Sequence, residues 1–175
     1  AGTSNLRLGV NAGNSIVSGG NYNVLVGDEA GTALTTGDEN VAVGYNALAT
    51  EDTGVGNVAV GRNALTALNF AGNGYNTAVG YVAGAAVTTG VNNTLIGALV
   101  GDALTTGSNN IAIGRDALGV DTAGSSNIAI GRLALGSQNF TSATNTYNIG
   151  IGTQAGGAIT TGVLNTLVGG LAGDA

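Results

Sequence analysis

Six of the ten carboxylates in this 175-residue chain come as adjacent pairs: Asp28-Glu29, Asp38-Glu39 and Glu51-Asp52. Paired carboxylates are what glycoside hydrolysis uses, and carboxylate oxygens are what calcium takes as ligands. Neighbouring side chains on a strand point to opposite faces, so these pairs read as solvated turns rather than a catalytic dyad. The Gly-rich nonapeptide of calcium-binding β-rolls is absent. There is no His to act as a general base and no Cys or Lys to act as a nucleophile. The expectation is a non-enzyme with no cofactor and no metal. The recurring Gly-x-Gly fragments lack the βαβ setting of a dinucleotide site.

Two sets of side chains are candidates for surface contact. Tyr45, Arg62, Tyr81, Arg115 and Arg132 each follow a recurring glycine. Tyr and Arg are frequent in binding surfaces, and they also enrich ordinary oligomer interfaces. Phe70 and Phe140 lie in the two longest loops, where recognition on rigid scaffolds often sits. They also suit apolar plugs at a coil edge. Thr-Thr-Gly recurs at Thr35, Thr88, Thr105 and Thr160. The paired threonines are adjacent rather than alternating and skip coils, which speaks against a regular ice-binding rank.

The elements that carry these residues are repeats. Asn-x-x-(Val/Ile)-Gly-x-x-Ala, with small variations, begins at Asn5, Asn23, Asn40, Asn57, Asn76, Asn93, Asn110, Asn127, Asn148 and Asn165. Successive spacings are 18, 17, 17, 19, 17, 17, 17, 21 and 17. A second level of order sits above the first. NVAVGYNAL, NVAVGRNAL, NTAVGYVAG and NTLIGALVG run in the same order as NIAIGRDAL, NIAIGRLAL, NIGIGTQAG and NTLVGGLAG. This marks duplicated four-coil blocks at about 40–109 and 110–175 within one domain, 1–175.

Val41 and Val43 share one face of a short strand, as do Val58/Val60, Ile111/Ile113 and Ile128/Ile130. A second apolar segment such as Asn46-Ala47-Leu48 and a polar loop then close the coil, giving two or three short strands per repeat. One coil cannot bury its apolar residues, but stacked coils can. The sequence therefore predicts an all-β fold, a parallel β-solenoid (β-roll) of about ten 17-residue coils. Asn23, Asn40, Asn57, Asn76, Asn93, Asn110, Asn127, Asn148 and Asn165 are its expected ladder of side-chain amides. The third motif residue is Ala where the ninth is Leu (Ala42 with Leu48), and Leu where the ninth is Gly (Leu25 with Gly31). This large-for-small exchange places the two columns in contact. Ala78 with Gly84 and Gly150 with Gly156 break the rule, so those places must be less filled or covered by something else.

NVAVGYNAL, NIAIGRDAL and NTAVGYVAG resemble the head repeats of YadA-like trimeric autotransporter adhesins and related bacteriophage tail-fibre repeats. The resemblance runs from Asn5 onward. It implies a left-handed roll, association of three chains, and a surface that binds a host glycan or protein. The Asn at every coil start and the Thr-Thr-Gly loops depart from the family pattern, and a phage or other extracellular fibre fits equally well.

The charge of −6 argues against nucleic-acid binding, and no apolar run is long enough for a membrane helix. The chain begins with Ala rather than Met, so a processed product or a piece of a longer protein is expected. The expected role is a structural or adhesive fibre segment, located extracellularly, at the cell surface or on a virion. Its expected partners are itself, as a homotrimer or end to end, and a host glycan or protein. The alternatives are a subunit of an end-to-end filament, a carbohydrate-binding module using the Tyr/Arg column, and, least favoured, a polysaccharide-cleaving solenoid. No cap is evident at either end, and the two chain ends read as complementary.

Overall fold

The computed structural model describes residues 2–174. Each repeat contributes one three-residue strand: β1 (Leu6–Leu8), β2 (Val24–Val26), β3 (Val41–Val43), β4 (Val58–Val60), β5 (Thr77–Val79), β6 (Thr94–Ile96), β7 (Ile111–Ile113), β9 (Ile128–Ile130), β11 (Ile149–Ile151) and β12 (Thr166–Val168). All ten pair in parallel, in chain order and in repeat register, so that Ala42 faces Ala59 and Ala112 faces Ala129. The two remaining strands, β8 (Gly124–Ser125) and β10 (Thr144–Asn145), pair only with each other. No helix forms among the described residues. The chain is a β-solenoid of about ten turns, about 48 Å tall at the usual strand spacing of ~4.8 Å.

The middle residue of each strand points inward. Leu25, Ala42, Ala59, Ala78, Leu95, Ala112 and Ala129 are fully buried. The flanking Val and Ile residues, such as Val41 and Val43, are half-buried on the outer face, and Ile96 and Ile111 are exposed. The β-branched pairs therefore line the outside, while the small or unbranched residue between them fills a narrow interior. The inward Ala and Leu side chains of the strands are thus consumed by the core.

The third and ninth columns meet in that interior. An added Cβ on Gly31 would lie 2.8 Å from Leu25, so Gly there makes room for Leu. The rule-breaking coils are filled from their neighbours. Leu95 and Leu65 reach over Gly84, and Leu135 and Leu167 over Gly156.

The segment Asn46–Leu48 is a turn, not a second strand, because Asn46 and Leu48 both take positive φ (59° and 53°). Gly31 takes the equivalent φ of 56°. Positive φ is rare for Leu; hydrogen bonds to both neighbouring coils hold it here. Asn46 N–H donates to the Asp28 carbonyl and Leu48 N–H to the Ala64 carbonyl, each at 3.0 Å.

The glycine that ends each strand is needed for a different reason. Gly114 has φ +126° and lies so close to the next coil that a Cβ would come within 2.7 Å of the Gly131 carbonyl carbon. Coils stack backbone on backbone at this column, which leaves no space for a side chain.

Candidate functional site

The asparagines form a continuous hydrogen-bonded column inside the rod. Each Oδ1 from Asn5 to Asn148 accepts the backbone N–H of the next asparagine, as in Asn40 N–H to Asn23 Oδ1 at 2.9 Å. In most coils Nδ2 also donates to the preceding Oδ1 and to a loop carbonyl of its own coil. Asn93 Nδ2 donates to Asn76 Oδ1 (3.1 Å) and to the Gly107 carbonyl (3.0 Å). Side-chain amides in this column substitute for backbone pairing where the chain bends away from the strand. Asn23 through Asn148 are buried, and only the terminal Asn5 and Asn165 are partly open.

The rung between Asn127 and Asn148 is rebuilt. Four extra residues loop out, and Thr146 Oγ1 donates to Asn127 Oδ1. Asn148 Nδ2 turns instead to Gln138 Oε1 at 2.8 Å. Gln138 Nε2 in turn donates to Asp121 Oδ2 at 2.6 Å, and Asp121 Oδ1 accepts the N–H groups of Gly124 and Phe140. Asp121 is fully buried.

Glu51 is its counterpart in the first block and corrects the solvated-turn reading. It too is fully buried, with Oε1 accepting Asp52, Thr53 and Gly54 N–H and Oε2 accepting Phe70 N–H at 3.1 Å. Both carboxylates anchor the loop of the following coil through its phenylalanine amide. The signal was present in the repeat register: Glu51 falls midway between Leu34 and Leu68, and Asp121 between Leu104 and Gln138. A carboxylate there replaces a core leucine and is tolerated because backbone donors surround it. Glu51→Gln would turn an amide NH₂ toward N–H donors. It is expected to cost about 1–3 kcal/mol and to speed amide exchange in residues 69–75, measured by hydrogen-exchange mass spectrometry.

Arg62 is layered between two tyrosines. Its guanidinium carbon lies 5.8 Å from the Tyr45 ring centre and 5.7 Å from that of Tyr81, and Nη1 donates to the Tyr81 hydroxyl at 3.3 Å. Cation–π contact thus occupies one face of each ring that a sugar would stack on. Arg115 pairs with Asp116 at 3.2 Å, and Arg132 is exposed. The structure does not bring Arg115 and Arg132 together with Phe70 and Phe140 as one site. Phe70 packs against the core, which fits the plug reading for that loop, while Phe140 is half-buried in the longer one.

Sequence reasoning missed a second column. Tyr22, Tyr75 and Tyr147 each precede a ladder asparagine, take positive φ and are exposed. Every tyrosine of the chain therefore flanks the same sheet. Tyr22, Tyr75 and Tyr147 lie just before its strands, and Tyr45 and Tyr81 just after.

Desolvation raises the Asp102 carboxyl above its usual range; its own backbone hydrogen bond opposes this and the nearby Asp116 charge adds to it. Among the described residues no three His, Cys, Asp or Glu side chains gather as a metal site, and no pocket opens. The first hydroxyl of the Thr-Thr-Gly loops is spent between coils: Thr35, Thr88 and Thr105 Oγ1 donate to carbonyls of the next turn.

Fold and ladder together define the class: a parallel β-solenoid repeat protein with a buried asparagine column. No protein-family model, curated protein or solved structure matches the chain.

Proposed function

We propose that this chain is a non-catalytic rod segment of an extracellular or virion fibre, and that three copies associate side by side through the outer face of the ten-stranded sheet. The composition of that face carries the reading. Ten strands with two outward residues each give twenty positions, of which seventeen are Val, Ile or Leu and three are Thr (Thr77, Thr94, Thr166). None is charged. A strip about 48 Å tall and about 10 Å wide presents on the order of 500 Å², more than scattered surface apolar residues supply. Its borders hold all five tyrosines and three of the four arginines, the residues that enrich interface rims and hot spots.

The two borders differ. One carries Tyr45, Arg62, Tyr81, Arg115 and Arg132; the other carries Tyr22, Glu39, Tyr75 and Tyr147. Parallel rods that set one border against the other make a heterologous contact, which closes as a ring when the rotation between copies divides a full turn. Three rods around one axis cover every strip.

Charge on the face tests this. The double variant Val60→Asp/Ile113→Asp is expected to lower the mass in light scattering from three chains to one, with the far-ultraviolet circular dichroism unchanged. A single-chain mass for the unaltered protein, or a threefold mass that survives both aspartates, would sink the reading.

A further inference from the structure

Asn73 is the one asparagine of the chain that a glycine follows. A backbone nitrogen can attack the side-chain carbonyl of the asparagine before it, and a glycine nitrogen has no side chain to shield it. Asn73 is exposed, whereas Gly74 is buried. A Cβ on Gly74 would collide with the Asn57 amide of the ladder, so packing demands glycine beside this asparagine.

The second block holds the same backbone with a different neighbour. Asn145-Thr146-Tyr147-Asn148 answers Asn73-Gly74-Tyr75-Asn76. Gly74 N–H donates to the Val55 carbonyl at 3.0 Å, and Thr146 N–H to the Ser125 carbonyl at 2.9 Å. The Gly74 and Thr146 carbonyls accept an N–H of the next coil, from Asn92 and Leu164 respectively, each at 2.8 Å. Asn145 is exposed like Asn73. Thr146 is accommodated because Asn148 Nδ2 turns to Gln138 Oε1. Leu68 holds the place of Gln138 in the first block and offers no acceptor, so Asn76 Nδ2 stays on Asn57 Oδ1 at 3.3 Å.

We propose that Asn73 is a site of spontaneous main-chain rearrangement, and that the Glu51 carboxylate controls its rate. The Gly74 nitrogen bonds to Asn73 Cγ, the Cγ–Nδ2 bond breaks, and the Gly74 proton leaves with Nδ2 as ammonia. Water then opens the cyclic imide at one of its two carbonyls. One cleavage leaves aspartate at position 73; the other leaves isoaspartate, whose main chain is longer by one carbon. In the closed loop the Gly74 proton is engaged by the Val55 carbonyl, and Val55 N–H donates to the Gly72 carbonyl at 3.0 Å. The attack therefore waits on local opening, which differs in free energy from region to region of a fold. Glu51 clamps both sides of this bridge. Its Oε1 accepts three N–H groups of the turn 52–54 that leads into Val55, and its Oε2 accepts Phe70 N–H at the start of the loop.

Peptide mapping by mass spectrometry, on folded protein aged in neutral buffer, tests both parts. Conversion of amide to acid is expected at Asn73 first, ahead of Asn145 and the other exposed asparagines, with isoaspartate among the products. Glu51→Gln is expected to raise the rate at Asn73 at least about fivefold, the low end of what an unsatisfied buried group costs. The rate at Asn145 should not change. Glu51→Leu, which copies Leu34 and Leu68 of the same column, is expected to act in the same direction and serves if the Gln variant misfolds. Conversion at Asn73 no faster than at Asn145, or a rate at Asn73 unchanged in the folded Glu51 variants, would overturn the proposal.

Discussion

Gly114→Ala is expected to cost about 2–6 kcal/mol, although it adds only one methyl group. Two penalties add. The residue holds φ +126°, a conformation that costs an L side chain about 1–3 kcal/mol. The new Cβ would also stand 2.7 Å from the Gly131 carbonyl carbon and 3.1 Å from the Arg132 nitrogen. Those atoms are backbone, so no rotamer change relieves the contact. The coils must separate, and overpacking of this kind costs about 1–3 kcal/mol more. Gly169→Ala is the control. It has a similar φ of +125° and open space beyond, so it carries the conformational cost alone. Urea denaturation of the two variants should show Gly114→Ala to be the worse by the full packing penalty. Equal losses would mean that coils do not approach as closely as described.

Asn93→Ala is expected to rank next, at about 3 kcal/mol or more. The side chain accepts Asn110 N–H and Nδ2 through one oxygen and donates to Asn76 Oδ1 and the Gly107 carbonyl. Its loss strips partners from buried groups in the coil above, the coil below and its own loop, and each unsatisfied buried group costs about 1–3 kcal/mol. Asn93→Asp should be no milder. It keeps the accepting oxygen but sets a second one against Asn76 Oδ1 and the Gly107 carbonyl. Asn165→Ala, at the partly open end, should lose much less. Thermal melts of the three variants would decide; a uniform small loss would demote the ladder to decoration.

Much of this fold is legible in the sequence because a stacked coil repeats its constraints every 17 residues. The Asn and Gly columns, the parallel register and the Leu-for-Gly exchange can be read directly. Parity shows that Val41 and Val43 share a face, but not that the face looks outward. Hydropathy suggests the reverse, since the inward residue is only Ala42. The narrowness of the coil decides it, and that is a property of the closed backbone. The positive φ of Leu48 is equally hidden, because leucine carries no mark of it; the hydrogen bonds of the neighbouring coils impose it. Glu51 occupies a core column in plain view, yet its burial becomes intelligible only once the loop turns three backbone N–H groups toward it.

The ladder and strand bonds run along the axis of the rod, while the chain itself winds around it. Tension between the two termini therefore loads the bonds of a terminal coil rather than of all coils together. One coil occupies about 4.8 Å of the rod, but 17 residues pulled straight span roughly 60 Å. Each coil that peels away lengthens the chain more than tenfold over the height it gave up and leaves the next coil in the same exposed position. A rod built this way yields under load in equal increments, and an intact stack of coils remains behind the unwinding end.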